Sequence, residues 1–187
     1  VMTSDKHERC TDRVEEAVRT SDADIVIVLQ GDEPLLGTDV MDKLIAPFMT
    51  NKDLLCTNLL SVIKDEADLN DRDIVKAVLN QKNEVLCFSR AGIPYRRVKT
   101  DCPLYRQTGF SAFRKTFLDK FSKLSPTPLE SIESVDFMRI LEHGFPILGV
   151  ISDQTTVGVD RPDDIGIVEN IFKNDPVQKK IYEMICK

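Results

Sequence analysis

The chain has 187 residues, 42% of them hydrophobic, which is enough for one domain with a well-buried core. A formal net charge of −6 argues against a general nucleic-acid-binding surface, and the apolar runs are too short to span a membrane. Five cysteines without CxxC spacing and only two histidines argue against a structural zinc site, so we expect reduced thiols and a cytoplasmic protein.

Helix and strand patterns alternate along the chain and predict an α/β layered fold. In chain order, the pattern predicts a helix at 11–20, a strand at 24–30, a helix at 38–50, strands at 54–63, 74–79, 84–90 and 104–114, helices at 115–123 and 128–143, strands at 146–151 and 155–160, and two helices after Pro162 that separate near Pro176.

The ends of these helices carry local signals. Thr11 can cap the first helix, and Pro47 should disturb the last turn of the second. Thr127, Pro128 and Glu130 form the pattern of a capping box at the start of the helix predicted over 128–143. We expect a single domain over residues 1–187, in which the hairpin-rich region 74–114 forms a smaller sheet and a dimer contact.

Residues 25–34, IVIVLQGDEP, run from a buried strand directly into two adjacent carboxylates. Ligands of open parallel sheets bind beyond the carboxyl ends of the strands, and Gly31 permits a tight turn there. Asp32 is thereby a candidate ligand for Mg²⁺, which in turn can hold phosphates. The alternative is an ordinary acidic loop that caps the next helix.

A second β-rich run, TTVGVDRPDD at 155–164, places Asp160 at another strand end. Two carboxylates that converge at one edge of the sheet would suit a six-coordinate Mg²⁺ completed by water and phosphate oxygens. The alternative for Asp160 is an N-cap of the helix that Pro162 opens.

Three basic residues have open assignments. Arg90 ends a strand and either binds a carboxylate or phosphate or forms a surface ion pair. Arg106 stands in an otherwise uncharged alternating strand, which favours a role in binding a substrate carboxylate. Lys76 interrupts IVKAVL and is either a solvent-facing strand residue or a cation of the pocket.

Several motifs together resemble those of a known family. The matching segments are TDR at 11–13, QGDEP at 30–34, VKAVL at 75–79, FSRAGIPY at 88–95, YRQTGFSAFR at 105–114, PLESIES at 128–134 and GVDRPDD at 158–164. In this combination the chain resembles, over nearly its whole length, the cytidylyltransferases that activate 3-deoxy-manno-octulosonic acid.

The resemblance implies a Rossmann-like nucleotide-diphospho-sugar transferase fold with a mainly parallel sheet. It implies transfer of CMP from CTP to a 3-deoxy-2-keto sugar acid, with release of pyrophosphate, for surface polysaccharide synthesis. Mg²⁺ would be held by Asp32 and Asp160, and the enzyme would be a homodimer. No covalent enzyme intermediate is required, which suits a chain without an evident nucleophile–histidine pair.

The resemblance also assigns site residues. Gln30 and the loop that carries Thr11 and Arg13 match segments that contact the cytidine. The positions that match the sugar-acid pocket are Arg106, Gln107, Glu130, Glu133 and Asp136.

Two departures from the family pattern stand out. The loop of type PARxxSxRxPGKPL that cradles the triphosphate has no match here, so we expect either a fragment of a longer enzyme or a reduced, inactive relative. Gln107 and Phe137 stand where the family commonly has His and Gln, which predicts a related but altered sugar acid. The competing functions are a non-catalytic module that binds the sugar acid or dimerises, and a nucleotidyltransferase of the same fold that uses another nucleotide.

Overall fold

Six strands form one twisted sheet in the computed structural model, which describes residues 1–7, 9–35, 37–98, 100–153, 158–159 and 161–185. The strands are β1 (Ile25–Val28), β2 (Cys56–Val62), β3 (Lys76–Leu79), β4 (Val85–Ser89), β5 (Tyr105–Arg114) and β6 (Leu148–Ser152). The spatial order is β4-β3-β5-β2-β6, and β1 also pairs with β5.

The ten-residue strand β5 organises this sheet. It pairs antiparallel with β2 along most of its length, with β1 through residues 111–114, and with β3 through Tyr105 and Arg106. Because β6 is parallel to β2 and β4 is antiparallel to β3, strands β1, β2, β3 and β6 all run in one direction, opposite to β4 and β5. The predicted α/β fold, in which most strands run the same way, is confirmed.

The hairpin-rich region 74–114 contributes β3, β4 and β5 to this same sheet. The region is therefore part of the central sheet, with β4 at its edge, and does not form the separate smaller sheet that we expected. Its predicted role in dimer contact stays a prediction.

Eight helices of the described residues surround the sheet. They are α1 (Cys10–Val18), α2 (Thr38–Thr50), α3 (Glu66–Asn70), α4 (Lys115–Phe121), α5 (Pro128–Glu133), α6 (Phe137–Glu142), α7 (Pro162–Asn174) and α8 (Pro176–Ile185). None of the helices in the described ranges is long and apolar enough to cross a membrane.

Apolar side chains on both faces of the sheet explain the continuous hydrophobic character of β1. Val26 and Val28 join a core cluster with Phe113 and residues of α4 and α6, whereas Ile25 and Ile27 pack against the cluster that α2 forms on the opposite face. A strand covered on both faces needs no polar alternation. The predicted full burial holds only for Val26 and Val28, because Ile25 and Ile27 are half-buried.

The structure corrects three element predictions. The helix predicted over 128–143 is broken at Ser134, whose φ of 53° is left-handed, and it becomes α5 and α6. The α3 helix was not predicted, whereas α2 spans Thr38–Thr50, the range that the sequence predicted. Of the strand predicted over 155–160, only residues 158–159 are described, and they are not in a strand.

Candidate active site

A cavity of about 250 Å³ opens where the carboxyl end of β1 meets the first half of β5. The start of α1 and the junction between α5 and α6 close its other sides. The lining residues are Thr11, Val28, Gln30, Glu33, Asp73, Ile74, Val75, Arg106, Gln107, Thr108, Gly109, Ser111, Asp136, Phe137 and Gly158.

The QGDEP segment turns sharply at the end of β1. The Glu33 N–H donates to the Gln30 carbonyl at 3.3 Å, so the two side chains that line the cavity are held on one short turn. The Val159 N–H donates to the Asp32 carbonyl at 2.8 Å. The main chain of the second motif therefore contacts the QGDEP segment at Asp32. The predicted convergence of the Asp32 and Asp160 carboxylates stays a prediction.

Gly109 of β5 packs directly against this turn. Its N–H donates to the Glu33 carboxylate, and a Cβ at this position would lie 2.6 Å from Glu33 Oε1 and 2.8 Å from Gln30 Cβ. Only a residue without a side chain fits such a close approach.

Acidic groups converge on Cys10 at the start of α1. Burial raises the pKa of the Cys10 thiol, and the charges of Asp136 and Asp32 raise it further, while a hydrogen bond to Gln30 acts in the opposite direction. A thiol held in its neutral form is a poor nucleophile, so Cys10 is unsuited to covalent catalysis.

Asp136 joins α1 to the α5–α6 junction. Its carboxylate accepts a hydrogen bond of 2.9 Å from the Thr11 hydroxyl. Burial raises the pKa of Asp136, while the Thr11 hydrogen bond and the charge of Arg9 work against the increase. The predicted helix cap Thr11 thus has another function, because α1 begins one residue earlier, at Cys10.

Arg106 and Gln107 lie on β5 at the opposite wall. The Arg106 Nε donates to the Ser61 hydroxyl at 2.9 Å, and a guanidinium nitrogen lies 3.9 Å from the Asp68 carboxylate. The Gln107 N–H donates to the Val75 carbonyl at 2.8 Å, which ties the strand to the loop before β3. Arg106 is the one cationic side chain among the described residues that line the cavity.

Five described residues of the predicted site do not line this cavity: Asp32, which is treated with the metal pair below, and four others. Arg13 is exposed and donates to the Thr3 hydroxyl and the Ser4 carbonyl. Glu130 is 2% exposed and forms a two-point pair with Arg139, with N···O distances of 2.7 and 2.5 Å. Their predicted substrate contacts stay predictions, and the structure gives each a local partner instead.

Arg90 and Glu133, the other two, form one structural unit. The Arg90 N–H and the Ser89 hydroxyl donate to the Glu133 carboxylate at 2.8 and 2.7 Å, and Arg90 Nε donates to the Glu133 carbonyl at 2.8 Å. The Arg90 guanidinium also reaches the carbonyls of Arg72 and Asp73. The guanidinium binds main-chain carbonyls, which differs from the surface ion pair considered for Arg90. The predicted substrate contacts of Arg90 and Glu133 stay predictions.

Both interpretations of Lys76 were wrong. Its side chain is fully buried, and Nζ donates to the carbonyls of Asp71, Ile74 and Arg90 at 2.6, 2.7 and 2.7 Å. Burial lowers the pKa of the Lys76 ammonium. The residue acts as a cross-link between the loop that precedes β3 and the end of β4.

The structure describes one of the two residues that were predicted to hold the metal ion. The Asp32 carboxylate is exposed just beyond β1, whereas Asp160 lies outside the described residues. Within the described ranges, no group of three or more His, Cys, Asp or Glu side chains could hold a metal ion. The exposed carboxylate and the acidic wall, where Glu33 and Asp136 face the cavity, have the hard-oxygen chemistry that Mg²⁺ prefers.

Some lining residues were absent from the predicted site. Gly109 was signalled by a glycine inside an alternating strand, which is typical of a bulge or a close approach. Glu33 directly follows Asp32 in QGDEP, so its presence near the site could have been predicted from that motif. Asp73 had no sequence signal, and it forms an ion pair with Arg161 at the start of α7.

Comparisons with known proteins show the family to which this chain is related. The sequence model of the family described as cytidylyltransferase matches residues 1–152. A 3-deoxy-manno-octulosonate cytidylyltransferase of Chlorobium phaeobacteroides is 38% identical over 182 residues, covering 95% of this chain and 73% of the relative. One of Geobacter metallireducens is 35% identical, covering 92% and 72%.

Solved structures give the same result. A CMP:2-keto-3-deoxy-manno-octonic acid synthetase complexed with CTP superposes with a TM-score of 0.87 at 30% identity, covering 94% of this chain and 72% of that one. A Bacillus anthracis glucose-1-phosphate thymidylyltransferase superposes with a TM-score of 0.59 at 12% identity, which shows a shared fold alone. The chain belongs to the cytidylyltransferase family, among the 3-deoxy-manno-octulosonate cytidylyltransferases.

Proposed function

We propose that this protein transfers CMP from CTP to a 3-deoxy-manno-octulosonate-type sugar acid and releases pyrophosphate. The observation that carries the proposal is the cavity between the QGDEP turn and the RQTG segment of β5, in a chain whose relatives are named for this reaction. In the reaction, a hydroxyl of the sugar acid attacks the α-phosphorus, a new P–O bond forms, and the bond to the β-phosphate breaks.

The residues of the cavity suit two different ligands. The Gln30 side chain, fixed against Gly109, offers an amide donor and acceptor for a pyrimidine edge. Arg106 can pair with the carboxylate of the sugar acid, and Asp136, held by Thr11, can accept hydrogen bonds from sugar hydroxyls. These groups bind and orient both substrates, which is the main protein contribution to nucleotidyl transfer.

The charge of the cavity supports a metal requirement. Among the described lining residues, Glu33, Asp73 and Asp136 are carboxylates and Arg106 is the cation, while Asp73 also pairs with Arg161 at the start of α7. A nucleoside triphosphate needs more positive charge than these residues supply. We propose Asp32 and Asp160 as the residues that hold Mg²⁺. The ion would lower the pKa of the attacking hydroxyl and neutralise charge that develops on the phosphates.

Pyrophosphate release from CTP and the octulosonic acid tests the reaction. We expect turnover with Mg²⁺ that EDTA abolishes, and a loss of at least 100-fold in kcat for Asp32→Asn. Unchanged turnover of Asp32→Asn would overturn the metal assignment. The exposed Asp22→Asn, before β1, serves as the control that keeps the wild-type rate.

The finer expectations follow from the same site. We propose CTP over UTP and GTP, and the three nucleotides can be compared as thermal stabilisers. Because Gln107 departs from the common family residue, we propose altered use of related sugar acids. Parallel assays with the octulosonic acid and its 8-amino analogue measure this difference.

A homodimer, a cytoplasmic location and a role in lipopolysaccharide synthesis complete the proposal. The non-catalytic alternative is not favoured, since the relatives are named as transferases.

A further inference from the structure

The β2–β5 ladder is interrupted beside the cavity. Asn58 pairs with Ser111, but Leu60 pairs with Gln107, so two steps on β2 correspond to four steps on β5. The extra residues of β5 lie within Thr108–Phe110 and form a bulge whose centre is Gly109. Bulges commonly re-aim groups next to active sites, and this one faces Gln30 and Glu33.

The Asn58 side chain holds this bulge. It is 1% exposed, and its amide nitrogen donates to the carbonyls of Thr108 and Phe110 at 3.3 and 3.1 Å. These two carbonyls lie on either side of Gly109. The Thr108 hydroxyl donates to the Leu59 carbonyl at 2.9 Å, so a second side chain spans the same interruption. Side-chain hydrogen bonds thus replace ladder bonds where the register changes.

The other end of the Asn58 amide argues against a purely stabilising role. Its carbonyl oxygen is buried and has no hydrogen-bond partner among the described residues. An unsatisfied buried acceptor is unfavourable, so asparagine incurs a penalty here that an apolar side chain would not. The benefit of asparagine at this position therefore lies in its two donors and in the backbone that they fix.

We propose that Asn58 is a positioning residue of the nucleotide site. It contacts no lining side chain that we assign to substrate binding. It acts through the bulge, because the bulge sets where the Gly109 N–H meets the Glu33 carboxylate and where Gln30 packs. The binding part of this inference rests on the proposed function, whereas the geometric part does not.

Two variants and a matched control test the proposal. Asn58→Leu keeps the approximate size and removes both donors, and Asn58→Asp replaces the donor by an acceptor that faces two carbonyls. Thr57→Val is the control, because its hydroxyl donates to the Leu44 carbonyl at 3.1 Å from the adjacent buried position of β2. It removes one buried hydrogen bond without touching the bulge.

The first measurement needs no ligand. The amide proton of Gly109 donates to a carboxylate and should resonate downfield in the NMR spectrum of the wild type. We expect Asn58→Leu and Asn58→Asp to shift this resonance upfield, by at least 0.5 ppm, while Thr57→Val leaves it in place. An unchanged Gly109 resonance in both Asn58 variants would overturn the proposal.

The second measurement separates positioning from stability. We expect Asn58→Leu to raise the KM for CTP about tenfold and the KM for the sugar acid less than twofold, while Thr57→Val changes neither despite a similar decrease in Tm. Equal KM changes in Asn58→Leu and Thr57→Val would overturn the proposal. If the wild type does not bind CTP, the proposed function fails, and the Gly109 resonance still decides the role of Asn58.

Discussion

Gly109 shows how strongly one position can constrain a site. Its peptide meets Glu33 through a hydrogen bond and Gln30 through van der Waals contact, so the two walls of the cavity touch at this residue. A glycine is needed at this position because an added methyl group would overlap the Gln30 side chain.

We therefore expect Gly109→Ala to displace Gln30 and Glu33 and to weaken CTP binding at least tenfold, as measured by calorimetry. The new methyl group meets Gln30 at Cγ and Cβ, close to its main chain, so the QGDEP turn must shift and the melting temperature should fall as well. Gly166→Ala in α7 is the control, since a Cβ there has no neighbour within 4 Å. Equal CTP affinities of the two variants would contradict the close-packing argument.

Lys76 is the residue whose environment the sequence failed to indicate. A lysine that interrupts a short apolar strand, as in IVKAVL, is normally at the surface. Its burial depends on three carbonyls from Asp71, Ile74 and Arg90, which come together only when the chain folds. Such convergence of main-chain acceptors has no signature in side-chain periodicity.

Replacing Lys76 by Met should destabilise the protein by about 3–5 kcal/mol, because three carbonyls lose a charged donor in a buried site. Urea unfolding at pH 7 measures the effect. Lys82→Met, in the exposed turn between β3 and β4, is the matched control and should change the free energy of unfolding by less than 0.5 kcal/mol. A result for Lys76→Met as small as that of the control would show that the carbonyls are satisfied in another way.

Among the elements, the α5–α6 pair departs most from its predicted form. The capping signals at Thr127, Pro128 and Glu130 placed the start of α5 correctly, and the last two helices of the chain were also predicted well. No glycine or proline marks the break at Ser134, so the sequence pattern predicted one uninterrupted helix. The tertiary contacts of Asp136 and Phe137 with Thr11, Phe88 and Phe113 favour the broken form.

The Glu130–Arg139 pair joins these two helices across the break. Both residues are at least 95% buried. Burial alone would raise the pKa of Glu130, but the hydrogen bonds and charge of Arg139 outweigh it and hold that pKa below its ordinary value. The carboxylate is therefore charged and depends on its partner.

We expect Arg139→Met to cost about 3–5 kcal/mol of unfolding free energy, since it leaves Glu130 charged and buried without its partner. The double variant Glu130→Leu/Arg139→Met should recover much of this loss, because no buried charge remains. Guanidinium chloride unfolding of both variants measures the difference. A double variant that is less stable than Arg139→Met would contradict the expectation.

At the scale of the whole molecule, the cavity is assembled from segments far apart in the chain. Local patterns were predictable: Asp32 was identified from the end of a strand and Arg106 from its place in an uncharged strand, while Gln30 was assigned through the family resemblance. Distances between segments were not, and Arg90 and Glu133 show the consequence: both stand in segments that belong to the site, yet they bind each other. The Glu133 carboxylate also makes the stability of the fold depend on pH.

Glu133 is a site where acid should weaken the fold. The hydrogen bonds from the Arg90 N–H and the Ser89 hydroxyl hold its pKa below the ordinary value of 4.5. A carboxyl group whose pKa is lower in the folded state binds fewer protons there than in the unfolded chain. Its contribution to stability is therefore complete above pH 4.5 and is lost as the pH falls through the folded pKa. Asp136 has the opposite sign, because burial raises its pKa.

Glu133→Gln isolates this contribution, because the amide keeps the shape of the side chain without titrating. We expect the wild type to be more stable than Glu133→Gln at pH 7, and the difference in unfolding free energy to shrink as the pH falls from 5 to 3. Urea unfolding over this pH range measures it. Glu183→Gln, exposed in α8, should differ from the wild type by the same small amount at every pH. If the Glu133→Gln difference stays constant down to pH 3, the carboxylate does not depend on its charge for these hydrogen bonds, and the link between β4, α5 and the loop before β3 is maintained by Arg90 and Lys76 alone.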